Sequence, residues 1–255
     1  MSHPSRSSLG LRAVALFEGL TAERLDALAQ ACRWRSLPAR RFLVQRAERE
    51  TDVHFVISGE LRVTIFALSG RQLTFRDLRA GGHFGEIAAI DGPPRSADVL
   101  TLRPSVVASL DADRFLALLR EEPMVGERVM RGLCRLVREI SERMIDLATL
   151  GVQNRVHAEL LRLAHEAGGP DNQARLDPAP THAEMASRVS TNREQVTREL
   201  NALQARGLLT KQGRAVLLHD VAQLERMVSQ VRGELYGTGP LRRVVEDQPQ
   251  GMAPT

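Results

Sequence analysis

Residues 82–97 read GHFGEIAAIDGPPRSA, and no other segment of the chain points as specifically to one chemistry. Gly85 allows the backbone to approach a ligand closely, and Glu86 can accept a hydrogen bond from a sugar hydroxyl. Residues 87–90 are predicted to form one helical turn whose exposed N–H groups face an anion. Arg95 can grip a phosphate through two donors. The segment suits a phosphorylated sugar, although a Gly/Pro-rich loop with a surface ion pair between Glu86 and Arg95 has the same composition.

The sequence around this segment predicts a β domain. Short runs that favour strands occur at residues 53–57, 61–66 and 106–110, and breaks that contain glycine separate them. This spacing is typical of a sandwich or barrel. Ahead of these runs, residues 16–31 have the apolar spacing of a short amphipathic helix that begins near Thr21.

A long helix is predicted after the β region, beginning at Pro123. Apolar residues recur along it at alternating steps of four and three, namely Leu133, Val137, Ile140, Met144 and Leu147. Such a seam usually meets another helix. Because the region before it is β, the expected partner is the same helix of a second subunit. The alternative is a surface helix that packs on its own barrel.

The C-terminal part predicts a helix-turn-helix. Thr181 and Glu184 form a capping box at the start of one helix. A second helix is predicted at residues 193–205, after a turn at residues 190–192 and before a stop at Gly207. Two short helices joined in this way place the second in the major groove of DNA. The alternative is an ordinary helical hairpin with solvated arginines.

The second of these helices presents groups that can read base edges. Arginine can donate two hydrogen bonds to guanine, and glutamate can accept one from cytosine. Residues 208–217 predict a hairpin with basic residues near its tip, which serves as a wing against phosphate. The residues that we expect to contact DNA are Thr181, Arg193, Glu194, Thr197, Arg198, Lys211 and Arg214.

The segment at residues 82–97 resembles the phosphate-binding cassette of the catabolite activator (CRP/FNR) family. The resemblance covers about residues 16–219 and is most specific in two places, Gly85-Glu86 through Arg95-Ser96-Ala97 and Arg193-Glu194-x-x-x-Arg198. It implies an α+β chain with an N-terminal double-stranded β-helix (jelly-roll) cyclic-nucleotide-binding domain. A long dimerisation helix and a C-terminal winged helix-turn-helix domain follow.

The resemblance also implies a function. A homodimer would bind cAMP or cGMP in the barrel and a palindromic, TGTGA-like operator in double-stranded DNA, with half-sites about one turn (~34–36 Å) apart. RNA polymerase is a further expected partner, and no metal, membrane or enzymatic activity is expected. The expected effector-binding residues are Gly85, Glu86, Ile87, Ala88, Arg95, Ser96, Ala97, Leu136, Ile140 and Ser141.

The sequence departs from the cAMP-responsive pattern in the long helix. Those relatives have an arginine and then a threonine at the positions of Leu136 and Ile140, and the segment between Glu86 and Arg95 is slightly shorter here. A purine can still pack against Ile140 while Ser141 bonds its edge. The base of the effector therefore stays open between cAMP, cGMP and a modified cyclic nucleotide.

Composition and length place limits on the architecture. The net charge of +4 and the pI of about 9.9 suit a polyanionic partner. Two cysteines, far apart, argue against a disulfide framework and fit a cytoplasmic location. We predict a disordered tail at residues 1–15, the barrel at 16–122, the dimerisation helix at 123–150, the DNA-binding domain at 151–236 and a disordered tail at 237–255.

Two other functions remain as alternatives. One is a constitutive or differently triggered member of the same family that binds no cyclic nucleotide. The other is a jelly-roll metalloenzyme, which would need several histidines and a carboxylate to converge. His54 and His83 lie in the barrel region. We assign His54 to a strand and His83 to a loop, so neither is expected to bind a metal.

Overall fold

The computed structural model describes residues 8–67, 72–169 and 172–236. They form two compact units, one that extends to Ile140 and one that starts at Ser141. The division falls within a long helix, α5, which runs from Pro123 to Thr149. No helix within the described residues is both long enough and apolar enough to span a membrane.

The first unit is a β sandwich with helices before, within and after it. Its strands are β1 (Arg33–Leu37), β2 (Phe42–Val44), β3 (Val53–Ser58), β4 (Glu60–Phe66), β5 (Gln72–Arg79), β6 (His83–Phe84), β7 (Asp98–Thr101) and β8 (Ser105–Leu110). Its helices are α1 (Ser8–Arg12), a short 3₁₀ helix (Ala15–Phe17), α2 (Ala22–Ala31), α3 (Glu86–Asp91), α4 (Ala112–Glu121) and the start of α5.

All strand pairs in this unit are antiparallel. One sheet has the order β1-β8-β3-β6 and the other the order β2-β7-β4-β5. Apolar side chains from both sheets, such as Val56, Leu61 and Val99, form a core between them. A second core lies where the helices cover the first sheet, with the rings of Phe17 and Phe55 4.7 Å apart. The α+β fold with an N-terminal jelly-roll is therefore confirmed.

The N-terminal boundary of this unit differs from the prediction. Residues 8–15, which we predicted to belong to a disordered tail, contain α1, and Leu11 and Val14 are fully buried. Gly10 allows this packing, because a Cβ there would lie 2.8 Å from the side chain of Ile57. Residues 1–7 of the predicted tail lie outside the described residues. The predicted loop position of His83 is also wrong, because His83 begins β6 and pairs with Phe55 on β3.

The long helix leaves its predicted seam uncovered in the single chain. Val137, Ile140, Met144 and Leu147 are between 45% and 64% exposed. Val125 and Val129 anchor the start of the helix, because they are buried in the core against the first sheet, and Leu133 of the seam is partly buried against the same core. An exposed apolar stripe on a long helix is the surface that a second helix would cover.

The second unit is a winged helix-turn-helix. Its elements are α6 (Val152–Ala167), β9 (Ala174–Leu176), α7 (His182–Arg188), α8 (Arg193–Ala205), β10 (Leu209–Gln212), β11 (Ala215–Leu218) and α9 (Val221–Tyr236). The strands form one antiparallel sheet in the order β10-β11-β9. Val156, Leu160, Val196 and Leu203 lie in the core that joins α6 to α8. The predicted disordered tail at residues 237–255 lies outside the described residues.

Candidate functional site

Gly85 determines the geometry of the segment that follows β6. Its φ of +95° is a left-handed conformation, and it caps the N-terminus of α3. A Cβ at this position would lie 2.6 Å from Arg95 Nη1 and 2.6 Å from the carbonyl oxygen of Asp52. Glycine is therefore required twice, for its backbone conformation and for the space that its missing side chain leaves to Arg95.

A cavity of about 270 Å³ opens beside this turn. Its volume is near the lower end of the ~300–1,000 Å³ typical of small-molecule sites. Four polar side chains line it, those of Arg76, Glu86, Arg95 and Ser96. The rest of the lining is apolar or glycine, and consists of Val44, Val63, Phe75, Phe84, Gly85, Ile87, Ala88, Ala97, Val99, Leu136 and Ile140.

The structure brings nine of the ten predicted effector-binding residues into this lining. The exception is Ser141, which is exposed on α5 and is not part of the lining. Arg76 was not predicted. It lies on β5 directly opposite Val63 of β4, so the two side chains lie on the same face of the sheet, and both line the cavity. Alternation along β5 would have found it once β4 and β5 were paired.

Glu86 and Arg95 are not the surface ion pair that composition alone allowed. Each is only 5% exposed. Among the described residues, Glu86 Oε2 and Arg95 Nε are buried without any hydrogen-bond partner. Leaving a buried hydrogen-bonding atom without a partner is costly, although the other oxygen of Glu86, Oε1, lies 3.7 Å from Arg76 Nη2. A hydroxyl group could donate to Glu86 Oε2, and an anion could accept from Arg95 Nε.

Both terminal nitrogens of Arg95 already donate hydrogen bonds within the protein. Nη1 donates to the carbonyl oxygen of Gly85 over 3.1 Å, and Nη2 donates to the carbonyl oxygen of Asp52 over 2.5 Å. Nη2 also donates to Glu50 Oε2 over 3.0 Å. Burial by itself would raise the pKa of the Glu50 carboxyl, but the hydrogen bonds and charges of His54 and Arg95 outweigh it and lower the pKa to about 2. Glu50 is therefore a carboxylate at neutral pH.

His54 completes this cluster from β3. It is fully buried, its ring lies 4.7 Å from that of Phe84, and its Nδ1 is 2.8 Å from Ser109 Oγ. Its Nε2 lies 3.2 Å from Arg95 Nη2 and 3.5 Å from Glu50 Oε2. Burial lowers the pKa of His54 despite the raising effect of Glu50. The strand assignment of His54 is confirmed, but sequence reasoning missed its contact with Arg95, and no local signal marked Glu50.

The second unit presents the predicted reading residues at the start of α8. Arg193, Glu194 and Arg198 are exposed, and their side chains form no ion pair with any residue that the structure describes. Asn192 caps the helix by accepting from the N–H of Gln195. These three side chains are therefore free to contact a partner from the N-terminal end of the helix.

Two other predicted DNA contacts are already engaged within the protein. The Thr197 hydroxyl donates to the carbonyl oxygen of Arg193 over 2.8 Å and lies 2.6 Å from His182 Nδ1. The Thr181 hydroxyl belongs to the predicted capping box with Glu184. Both threonines hold the two helices in place, whatever further contact they make.

The wing and the rear of α8 complete the unit. Lys211 and Arg214 are exposed on either side of Gly213, whose φ of +61° makes the turn of the hairpin. On the buried side of α8, His157 Nε2 lies 2.5 Å from Glu199 Oε1 and links the helix to α6. Burial lowers the pKa of His157.

Comparisons with known proteins agree with both halves of this description. The model of the cyclic nucleotide-binding domain matches residues 34–122, and that of the Crp-like helix-turn-helix domain matches residues 154–227. A cyclic AMP receptor protein from Thermus thermophilus is 29% identical over 212 residues, which cover 83% of this chain and 95% of the relative. A CRP-like cAMP-activated global transcriptional regulator from Mycobacterium tuberculosis is 26% identical over 217 residues, which cover 85% and 97%.

Solved structures share the fold. A CRP-family transcription regulator from Thermus thermophilus is 26% identical, with a TM-score of 0.61 over 76% of this chain and 96% of that one. Within the described residues no group of three or more histidine, cysteine or acidic side chains could hold a metal ion. The family consists of transcription regulators, so the metalloenzyme alternative is set aside. The chain belongs to the CRP/FNR family of transcription regulators, with a cyclic nucleotide-binding domain and a Crp-like helix-turn-helix.

Proposed function

We propose that this chain is a cytoplasmic, homodimeric transcription regulator that is switched by cAMP or cGMP and binds a palindromic, TGTGA-like operator. One observation carries the effector assignment. Glu86 Oε2 and Arg95 Nε are both buried and unpartnered among the described residues, at one cavity. A ribose hydroxyl and a cyclic phosphate would satisfy both atoms at once.

Each part of the cavity has a role in this proposal. Arg95 and Ser96 hold the phosphate, and Glu86 accepts from the ribose. Ile87 and Ala88, in the first turn of α3, place their backbone beside the anion. The purine packs against Leu136 and Ile140. Because those two side chains are apolar, they do not themselves choose between adenine and guanine.

The exposed apolar stripe of α5 supports the homodimer. Val137 and Met144 are 62% and 64% exposed, which is unfavourable for a helix that remains alone. Covering the stripe with its own symmetry mate would form an isologous, coiled-coil interface. Two reading helices then face successive major grooves, as a palindromic operator requires. RNA polymerase is the expected partner of the DNA-bound dimer.

The effector acts through a difference in affinity. Leu136 and Ile140 lie on the same helix as the exposed stripe, so a bound purine contacts the dimerisation helix directly. If the nucleotide binds one arrangement of the paired helices more tightly, it shifts the population toward that arrangement. Only an arrangement with the correct spacing of the reading helices binds the operator.

The test is a calorimetric titration of the purified protein with cAMP and cGMP, followed by operator binding with and without each nucleotide. Arg95→Gln should weaken nucleotide binding by about 30-fold or more, because it leaves an anion without its charged partner. The matched control is Arg79→Gln, whose side chain is 77% exposed on β5. An unchanged response of the Arg95 variant would contradict the pocket assignment.

The second candidate is a family member that binds DNA without a cyclic nucleotide. It is favoured by Leu136 and Ile140, which replace the polar pair of the cAMP-responsive pattern. Wild-type protein that binds its operator but gives no heat with either nucleotide would establish this second function.

A further inference from the structure

The arginine that is expected to bind the effector's phosphate already has an anionic partner. We propose that Glu50 sets the affinity of the effector site for a phosphate. It binds Arg95 in place of the phosphate, so that only a ligand with an anionic group can displace Glu50 from Arg95. This inference rests on the proposed function, because it concerns Arg95, which lines the effector cavity, whereas Glu50 contacts Arg95 from outside that lining.

The hydrogen-bond pattern of Arg95 shows which part of the guanidinium Glu50 occupies. Nε and Nη2 share one edge, and together they form the fork that grips a phosphate through two oxygens. Nη2 has two hydrogens, and it donates to both Glu50 and the carbonyl oxygen of Asp52. Nε has no partner among the described residues. The fork is therefore blocked at one nitrogen and open at the other.

Glu50 is the partner that can leave. The two other acceptors, the carbonyl oxygens of Asp52 and Gly85, belong to the backbone, directly before β3 and at the N-cap of α3. The Glu50 side chain is 35% exposed and lies between β2 and β3. Its carboxylate can be rehydrated after a small side-chain rotation, whereas a backbone carbonyl cannot move without disturbing the sheet.

Charge makes the two anions compete. A cyclic phosphate beside Arg95 would lie close to the Glu50 carboxylate, and like charges repel strongly where water is scarce. His54, the other group in contact with both, is fully buried, and burial lowers its pKa and disfavours its charged form. Arg35 on β1 is the further cation that acts on His54, and Asp52 is neutralised by its ion pair with Arg33. Arg76 also lines the cavity, but its Nη2 lies 3.7 Å from Glu86 Oε1, so Arg95 is the cation for which Glu50 and the phosphate compete.

The contact has a consequence for affinity. Without Glu50, a phosphate would reach Arg95 without first displacing another anion. With Glu50, a ligand must supply enough binding energy to displace a carboxylate. A nucleoside without phosphate has no anion to pair with Arg95, so its binding affinity should not increase when the charge of Glu50 is removed.

The experiment compares wild type with Glu50→Gln, which keeps the size of the side chain and removes its charge. The full-length proteins are titrated calorimetrically with cAMP, cGMP and adenosine. We expect Glu50→Gln to bind the preferred cyclic nucleotide about tenfold more tightly, with no gain for adenosine. The control is Glu48→Gln, which removes an equal charge from the same loop, where Glu48 accepts from the N–H of Gln45 and does not contact the Arg95 side chain.

A second measurement does not depend on any nucleotide. Thermal unfolding of wild type, Glu50→Gln, Arg95→Gln and the double variant forms a double-mutant cycle. We expect Glu50→Gln to lower Tm by about 2–4 °C in the wild-type background and to have no such effect in the Arg95→Gln background.

The outcomes separate the two proposals. Equal or weaker cyclic-nucleotide binding by Glu50→Gln, an equal gain in Glu48→Gln, or an equal gain for adenosine would each overturn the role of Glu50. A cycle without coupling would overturn it even if nothing binds. Coupling in the cycle together with no cyclic-nucleotide binding by any protein would instead overturn the proposed function.

Discussion

The two units of this chain hold their functional charges in opposite ways. In the sandwich, Glu86 and Arg95 are buried to 5% exposure, and Arg95 is held by Gly85, Asp52 and Glu50. In the winged helix-turn-helix, Arg193 and Arg198 point into solvent and form no ion pair with described residues. The charges of the first unit are held by partners within the protein, and those of the second are left exposed to solvent.

The difference shows what each kind of site depends on. A buried charge is expensive, so its partners must be placed by the surrounding backbone, and small changes in that backbone are costly. An exposed charge does not need partners within the protein, but salt screens its attraction to DNA. Its binding becomes sequence-specific only when it contacts the edges of bases. We therefore expect substitutions of the buried charges in the sandwich to change the stability and the geometry of the site. Substitutions of the exposed charges on α8 should change DNA binding alone.

The largest effect is expected at Gly85. In Gly85→Ala the new Cβ would meet Arg95 Nη1 and the Asp52 carbonyl oxygen at 2.6 Å, at a φ of +95°. We expect a loss of about 2–4 kcal/mol in the free energy of unfolding, measured by urea denaturation. Gly92→Ala is the matched control, because Gly92 has a φ of +85° and nothing lies within 4 Å of its Cβ position. Equal losses in the two variants would show that the space beside Arg95 is not constrained.

A smaller effect is expected at Arg198 on α8. Arg198→Ala should weaken operator binding by about 1–3 kcal/mol and relax specificity at one base pair of each half-site, without changing the unfolding midpoint. Binding to operators with single substitutions, measured at fixed salt, tests this. Lys211→Ala on the wing serves for comparison. The loss of a phosphate contact should weaken binding to all sequences alike and should reduce the slope of log K against log salt concentration by about one unit. If Arg198→Ala also weakens all operators equally, Arg198 contacts phosphate and does not read a base.

The smallest effect concerns pH, and it applies to both units. Burial lowers the pKa of His54 and of His157 below the ordinary value of 6.5, so the folded chain binds fewer protons than the unfolded chain. The stability that this difference contributes is present above pH 6.5 and is lost as the pH falls from there toward the folded pKa values. Urea unfolding at pH 7.5 and 5.5 should therefore show lower stability in acid, and less of a loss in His157→Gln. His165→Gln, at an exposed histidine of the same helix, is the control, and an equal loss in all three proteins would contradict the assignment to His157.

Local sequence signals predicted the elements whose ends are stabilised locally. The capping box at Thr181 and Glu184 is present as predicted. Helix α8 begins at Arg193 and ends at Ala205, because Asn192 caps it and Gly207 follows with a φ of +72°. The same local signals failed where order comes from packing. Helix α1 has five residues and no predicted cap, and it is held by the burial of Leu11 against the sandwich.

The sequence by itself determined strands β3, β4 and β8, the hairpin of β10 and β11, the two helices of the helix-turn-helix, the two short motifs that indicate the family and the placement of Glu86 with Arg95 at one site, since each is encoded in residues that lie close together in the chain. Only the tertiary structure decided that Glu50 and His54 contact Arg95 and that Arg76 lines the same cavity. These residues lie 45, 41 and 19 positions from Arg95. Their meeting depends on how the two sheets pair and bend, and hydrophobic spacing along a strand does not determine that pairing.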